Sequence, residues 1–131
     1  MLFLLTIWNQ ANYVEILKQH PEFTFTVAGH MGEGNFHIIP IIDIKEKRIR
    51  EAIPIIAKQV YALIVSEGGS ITGEHNDGLI RTPFLKEMFG AKMVKLFQEV
   101  KNIFDPKGIF NPRKKVKGDL EFAMDHLRQN W

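Results

Sequence analysis

Two β-patterned runs flank a glycine-rich stretch, and just beyond them the apolar period becomes that of a helix; few folds accept that order. Phe23 to Ala28 alternates, with Phe23, Phe25 and Val27 on one side and Thr24, Thr26 and Ala28 on the other. That is the pattern of a strand with one buried face. After the glycines, FHIIPIID (36–43) is rich in β-branched residues. The two runs form a hairpin, and Pro40 places the second at an edge or a bulge. From Glu46 to Gly69, residues Ile49, Ile53, Ile56, Val60 and Leu63/Ile64 line one side of a helix that Gly68 and Gly69 end, with Pro54 marking its first turn or kinking it. Upstream, Tyr13, Ile16 and Leu17 predict a helix stopped by Pro21, and the opening MLFLLTIW reads as helix-like.

Downstream, SIT (70–72) is a short strand candidate running into the turn-rich GEHNDG. Residues 82–104 read as one helix or a broken pair, with Thr82 as N-cap before Pro83 and Gly90 as the weak point. DPKGIFNP (105–112) is turn chemistry, and Leu120, Met124 and Leu127 predict a last amphipathic helix, with Trp131 a packing residue. The order predicts an α+β fold with helices on one face of a small antiparallel sheet, a ferredoxin-like arrangement being the simplest.

The length of 131 residues fits one domain, and 45% hydrophobic with 24% charged residues excludes disordered, collagen-like and coiled-coil classes. A net charge of +2 gives little case for nucleic acid, and the basic run RKKVK (113–117) reads as a solvated stretch. With no cysteine, any metal must be held by nitrogen and oxygen. The apolar opening lacks a basic flank and a cleavage site and is too short to span a bilayer, so the expected location is cytoplasmic. An apolar stretch beginning almost at Met1 also leads us to expect one piece of a longer protein.

GHMGEGNFH (29–37) places histidines at both ends of the glycines. If Gly32 to Asn35 forms the loop, Met31 pairs with Phe36 and His30 with His37. Directly opposed residues share a face with β-carbons about 4.5–5.5 Å apart, which lets two imidazoles chelate one ion. The same face carries Thr24, Thr26 and Ala28, and the opposite one Phe25, Val27, Ile38 and Ile42. On spacing alone the pair reads first as a polar surface pair, and Glu33 as a solvated tip. GEH (73–75) supplies a candidate third ligand, and two histidines with a carboxylate suit Zn²⁺, Mn²⁺ or Fe²⁺. On a regular strand Glu74 and His75 would point to opposite sides, so both serve one site only if the chain bends there.

Together GHMGEGNFH, GGSITGEHNDG and IFDPKGIFNP resemble the C-terminal domain of FAD-linked oxidases of the vanillyl-alcohol oxidase superfamily, over about Tyr13 to Pro112. That group holds D-lactate dehydrogenase, the glycolate oxidase FAD subunit and D-2-hydroxyglutarate dehydrogenase. The resemblance implies a ferredoxin-like cap that binds substrate over a flavin held mostly by a separate N-terminal domain, with FAD and a divalent metal as cofactors. It implies His30, His37 and Glu74 as metal ligands, His75 as base or substrate contact, Asn111 as a position approaching the flavin and Asn35 as a substrate contact. Arg81 stands as a carboxylate contact or as a structural or exposed arginine. The implied reaction is oxidation of a D-2-hydroxy acid to the 2-oxo acid by the full enzyme, with the isolated chain inactive and with a cytoplasmic or membrane-peripheral location. Asn76 and Ile39 depart from the family pattern and leave the particular acid open. The alternatives are a non-catalytic metal-binding or interaction module and, more weakly, a metal-dependent hydrolase.

Overall fold

The computed structural model describes residues 3–6 and 11–127. It divides into a first compact unit running to Asn76 and a second from Asp77 to Leu127. The first unit holds strand β1 (Phe3–Thr6), helix α1 (Ala11–Lys18), strand β2 (Thr24–His30), a 3₁₀ turn (Met31–Glu33), strand β3 (Asn35–Ile41) and helix α2 (Lys47–Ser66). The sheet is antiparallel in the order β1-β3-β2. β1 and β2 therefore run parallel on either side of β3, the split arrangement of a ferredoxin-like α+β fold. The expectation of an α+β fold is met.

The opening run departs from its helix-like reading. Phe3–Thr6 is a strand paired with Asn35–Ile38, because a short apolar run has no period to separate the two and tertiary pairing decides. Addition of β1 makes β3 central, not an edge strand, despite Pro40. Among the described residues β1 pairs with β3 only as far as Ile38, and β2 pairs with it on to Ile41, with Pro40 opposite Phe25.

The face bearing Phe36, Ile38 and Pro40 is buried. With Ile49, Ile53, Ile56, Val60 and Ile64 of α2, Tyr13 of α1 and Ile71, these residues form the core of the first unit. Burying a side chain such as Ile38 or Ile56 contributes roughly 1.5–3 kcal/mol. Pro54 lies inside α2, well beyond its first turn, so the helix loses one internal hydrogen bond there, a cost the buried apolar face offsets. Asn12 donates to Glu67 at 3.1 Å and His20 meets Gln59 at 3.0 Å, tying α1 and the turn after it to α2. Ser70 is irregular and Ile71 and Thr72 form a bend, in place of the predicted strand.

The second unit holds α3 (Gly78–Arg81), a 3₁₀ turn (Thr82–Phe84), α4 (Leu85–Phe104) and α5 (Leu120–Asp125). Gly90 breaks α4 with φ 75° and ψ 163°, so the broken pair is realised. Thr82 is no N-cap: its hydroxyl donates back to the Gly78 carbonyl and accepts from the Lys115 backbone at 2.9 Å. Asp119 does cap α5, accepting from the Phe122 backbone at 3.2 Å. The basic run is solvated only in part: Arg113, Lys114 and Lys117 are exposed, while Lys115 is half-buried. Arg113 pairs with Asp119 at 2.9 Å and lies over the Phe122 ring at 4.1 Å. Lys115 reaches the buried Asp77 carboxylate at 2.7 Å and stands 5.0 Å from the Phe97 ring, and Val116 is buried. A run of cations looks solvated in sequence because its partners, at Asp77 and Phe97, lie far away in the chain.

Asp105, which ends α4, organises the turn after it. Its carboxylate accepts from the Ile109 and Phe110 backbones at 2.9 Å each and from Lys101. These interactions, led by the Lys101 hydrogen bond, hold its pKa down at about 2 from 3.8.

Candidate metal centre

The hairpin brings three polar side chains onto the face opposite the core. Its register differs from the predicted one: His37 lies opposite Ala28, and His30 opposite Asn35. The 3₁₀ turn and Gly34, at φ 65°, complete the connection sooner than the predicted loop does, so Asn35 rejoins the ladder. The offset is two residues, and strand side chains alternate with a period of two, so every residue keeps its predicted face. His30 and His37 are then diagonal neighbours, at the roughly 7–8 Å typical of such pairs, not directly opposed.

Gly29 makes this register possible. A β-carbon there would lie 2.1 Å from the Asn35 carbonyl oxygen and 2.9 Å from the Phe36 α-carbon, and its φ is 143°. The glycine preceding His30 is required by the close approach of β2 to β3.

The required bend at GEH is present. The His75 backbone donates to the Thr72 carbonyl at 3.2 Å, with Gly73 at φ 48°, and this turn carries Glu74 and His75 to one site. The Glu74 carboxylate sits at its middle. Its Oε1 is 3.1 Å from His37 Nε2 and 3.2 Å from His75 Nε2; its Oε2 is 3.0 Å from Asn35 Nδ2 and 3.8 Å from His30 Nε2. The His37 and His75 rings meet edge to face with centroids 5.5 Å apart. One anion is thus surrounded by three imidazoles and an amide, drawn from β2, β3 and the turn after α2.

The donor set fits a metal. Among the described residues, His37, Glu74 and His75 each offer a donor atom within 4.8 Å of the others. Ligands about 2.0–2.1 Å from a tetrahedral ion stand about 3.3 Å from one another, close to the spacing of Glu74 Oε1 from both ring nitrogens. The His37 side chain is only 12% exposed, against 51% for His75 and 63% for His30, so the centre has a fixed inner ligand and an open outer side. Of the expected ligands His37 and Glu74 are in the tightest group, His75 joins them, and His30 stands off at the second carboxylate oxygen.

Residues 4–115 match the family model described as FAD linked oxidases, C-terminal domain. The chain belongs to this family. The FAD linked oxidase C-terminal domain is similar to the D-lactate dehydrogenase of Archaeoglobus fulgidus, 39% identical over 111 residues that make up 84% of this chain and 23% of that protein. It is 33% identical over 103 residues to the D-lactate dehydrogenase of Anaerostipes hadrus, covering 78% of this chain and 22% of the relative. Against the glycolate oxidase subunit GlcD of Bacillus subtilis the identity is 27% over 113 residues, 86% of this chain and 24% of the relative. The chain spans less than a quarter of the length of these relatives.

The other expected site residues of this domain lie apart from the cluster in the chain. Arg81 ends α3 in the second unit and is buried. Asn111, also in the second unit, is exposed, takes φ 43°, and accepts from Lys114 Nζ at 3.3 Å. Asn35 is 8% exposed and donates to Glu74, a partnership that sequence reasoning missed because the two lie far apart in the chain. Its sequence signal was its place in GHMGEGNFH, which the family resemblance read as a substrate contact.

Proposed function

We propose that this domain is the substrate- and metal-binding C-terminal part of an FAD-dependent oxidoreductase acting on a D-2-hydroxy acid of the lactate, glycolate or 2-hydroxyglutarate type. The observation that carries the reading is the Glu74 carboxylate flanked by His37 and His75 at 3.1 and 3.2 Å, in a chain whose family is that of FAD linked oxidases. His37 and Glu74 would hold a divalent ion, with His30 closing on it from the open side. Bound there, the ion would supply Lewis acidity toward the oxygens of the hydroxy acid, and FAD in a separate domain would supply the hydride acceptor. His75, half exposed and 3.2 Å from Glu74, would take the hydroxyl proton; Glu74 beside its Nε2 would stabilise the resulting imidazolium.

The requirement for a separate flavin domain is supported by α4. Beyond the break at Gly90, Met93, Leu96, Val100, Ile103 and Phe104 recur at helical spacing and are 42–80% exposed, an apolar face of the kind that marks a protein partner. No described helix is long and apolar enough to cross a membrane. The second reading, a non-catalytic metal-binding module, is favoured by the whole cluster lying inside one compact unit.

The test is metal analysis of tag-free protein with competition against a chromophoric chelator. About one Zn²⁺ per chain is expected, lost in His37→Ala and in Glu74→Ala; equal metal content in all three would remove the centre. Turnover of D-2-hydroxy acids with an artificial acceptor, once the chain is joined to an FAD-binding domain, separates the enzyme from the module.

A further inference from the structure

Asn35 is a buried amide that the core does not need. Its side chain lies on the face opposite Phe36 and Ile38, it is 8% exposed, and its Oδ1 is buried without a hydrogen-bond partner among the described residues. Burying an amide with one group unsatisfied works against folding, so an apolar residue of similar size would serve the strand at least as well. What Asn35 does make is one bond, from Nδ2 to Glu74 Oε2 at 3.0 Å. The orientation of the amide follows from the carboxylate, since the reverse would set oxygen against oxygen.

We infer that Asn35 is a positioning residue that presents Glu74 to the metal through one oxygen. A free carboxylate can rotate and offer either oxygen or both. With Oε2 held by the Asn35 amide, Oε1 is the atom left between His37 Nε2 and His75 Nε2. The pairing is anchored on both sides: Asn35 stands at the start of β3 opposite His30, and Glu74 lies in the turn closed by His75 and Thr72. Asn35 therefore acts through Glu74 and is not itself a substrate contact. The inference rests on the metal reading above, and its test separates the two.

The experiment compares wild type, Asn35→Leu and Asn35→Gln for Zn²⁺ affinity by chelator competition and for thermal midpoint without metal. Loss of a group that orients a metal ligand typically costs about 10–100-fold in affinity. Asn35→Leu is expected to bind about 10–100-fold more weakly while melting no lower than wild type, a split that a merely structural role would not produce. Asn35→Gln, which keeps the donor, is expected to recover part of the affinity. Unchanged affinity in Asn35→Leu, with wild type binding normally, overturns the inference and leaves the metal reading standing. A lower melting point with unchanged affinity likewise overturns it. If wild type binds no divalent ion, the metal reading fails, and the decision passes to the side-chain amide protons of Asn35 in NMR spectra of metal-free protein. A downfield shift lost in Glu74→Gln then supports the positioning contact, and identical spectra refute it.

Discussion

Replacing Gly29 with alanine tests the register on which the centre depends. An ideal β-carbon at this position would stand 2.1 Å from the Asn35 carbonyl oxygen, whereas a carbon rests against such an oxygen at about 3.3–3.6 Å. The backbones of β2 and β3 would have to part by more than about 1 Å. Alanine must also hold the φ of 143°, a strain of about 1–3 kcal/mol. Loss of one or two ladder hydrogen bonds adds about 0.5–1.5 kcal/mol each. The sum is roughly 1.5–6 kcal/mol, a fall in melting temperature on the order of 10 °C for a chain of this size. Because the displaced atoms belong to Asn35, between His30 and Glu74, Zn²⁺ affinity should fall with stability. Gly32→Ala is the control: nothing lies within 4 Å of a β-carbon there, and alanine should be neutral or stabilise by about 0.4–1 kcal/mol. Thermal and urea unfolding of the three proteins measure the difference. A Gly29→Ala protein melting within 2 or so degrees (~2 °C) of wild type with unchanged Zn²⁺ affinity would refute the close-approach argument.

The depressed pKa of Asp105, about 2 against 3.8, sets an acid limit on the second unit. A lowered folded-state pKa stabilises fully above the unfolded value and is lost as pH falls through the folded one. The stability difference between wild type and Asp105→Asn should therefore be constant above about pH 5 and shrink between about pH 4 and pH 2; urea titrations giving a flat difference down to the lower limit would contradict it. Lys115→Met leaves the buried Asp77 carboxylate without its 2.7 Å partner. The half-exposed lysine moderates the cost to roughly 1–3 kcal/mol, and an unfolding midpoint equal to wild type would show that the pair contributes nothing.

What could be read in the sequence was what is periodic. The alternation in Phe23 to Ala28 fixed the strand, though of its apolar side Phe23 is buried, Phe25 half-buried and Val27 43% exposed; the spacing of Ile49, Ile53, Ile56 and Val60 fixed both helix and buried face, because burial acts on each residue through its neighbours at 2 or 3.6 positions. The candidate metal ligands were legible as motifs, and the bend that brings Glu74 and His75 together was legible as a requirement before it was seen. The exact register was not: the glycines allow several loop closures, and only the approach of Gly29 to Asn35 selects one. β1 was hidden because its run is short, and the roles of Asn35 and Lys115 were hidden because Glu74 and Asp77 lie far off in the chain.

Pro40 bears on what the sheet can accept beside it. Among the described residues β1 pairs with β3 only as far as Ile38, whereas β2 pairs with it to Ile41. A proline has no backbone donor, and prolines are among the devices that limit strand addition. The residue that resembled an interruption of the strand keeps its place in the ladder opposite Phe25, at the end remote from the histidines, and withholds one donor from any chain laid along β3 there.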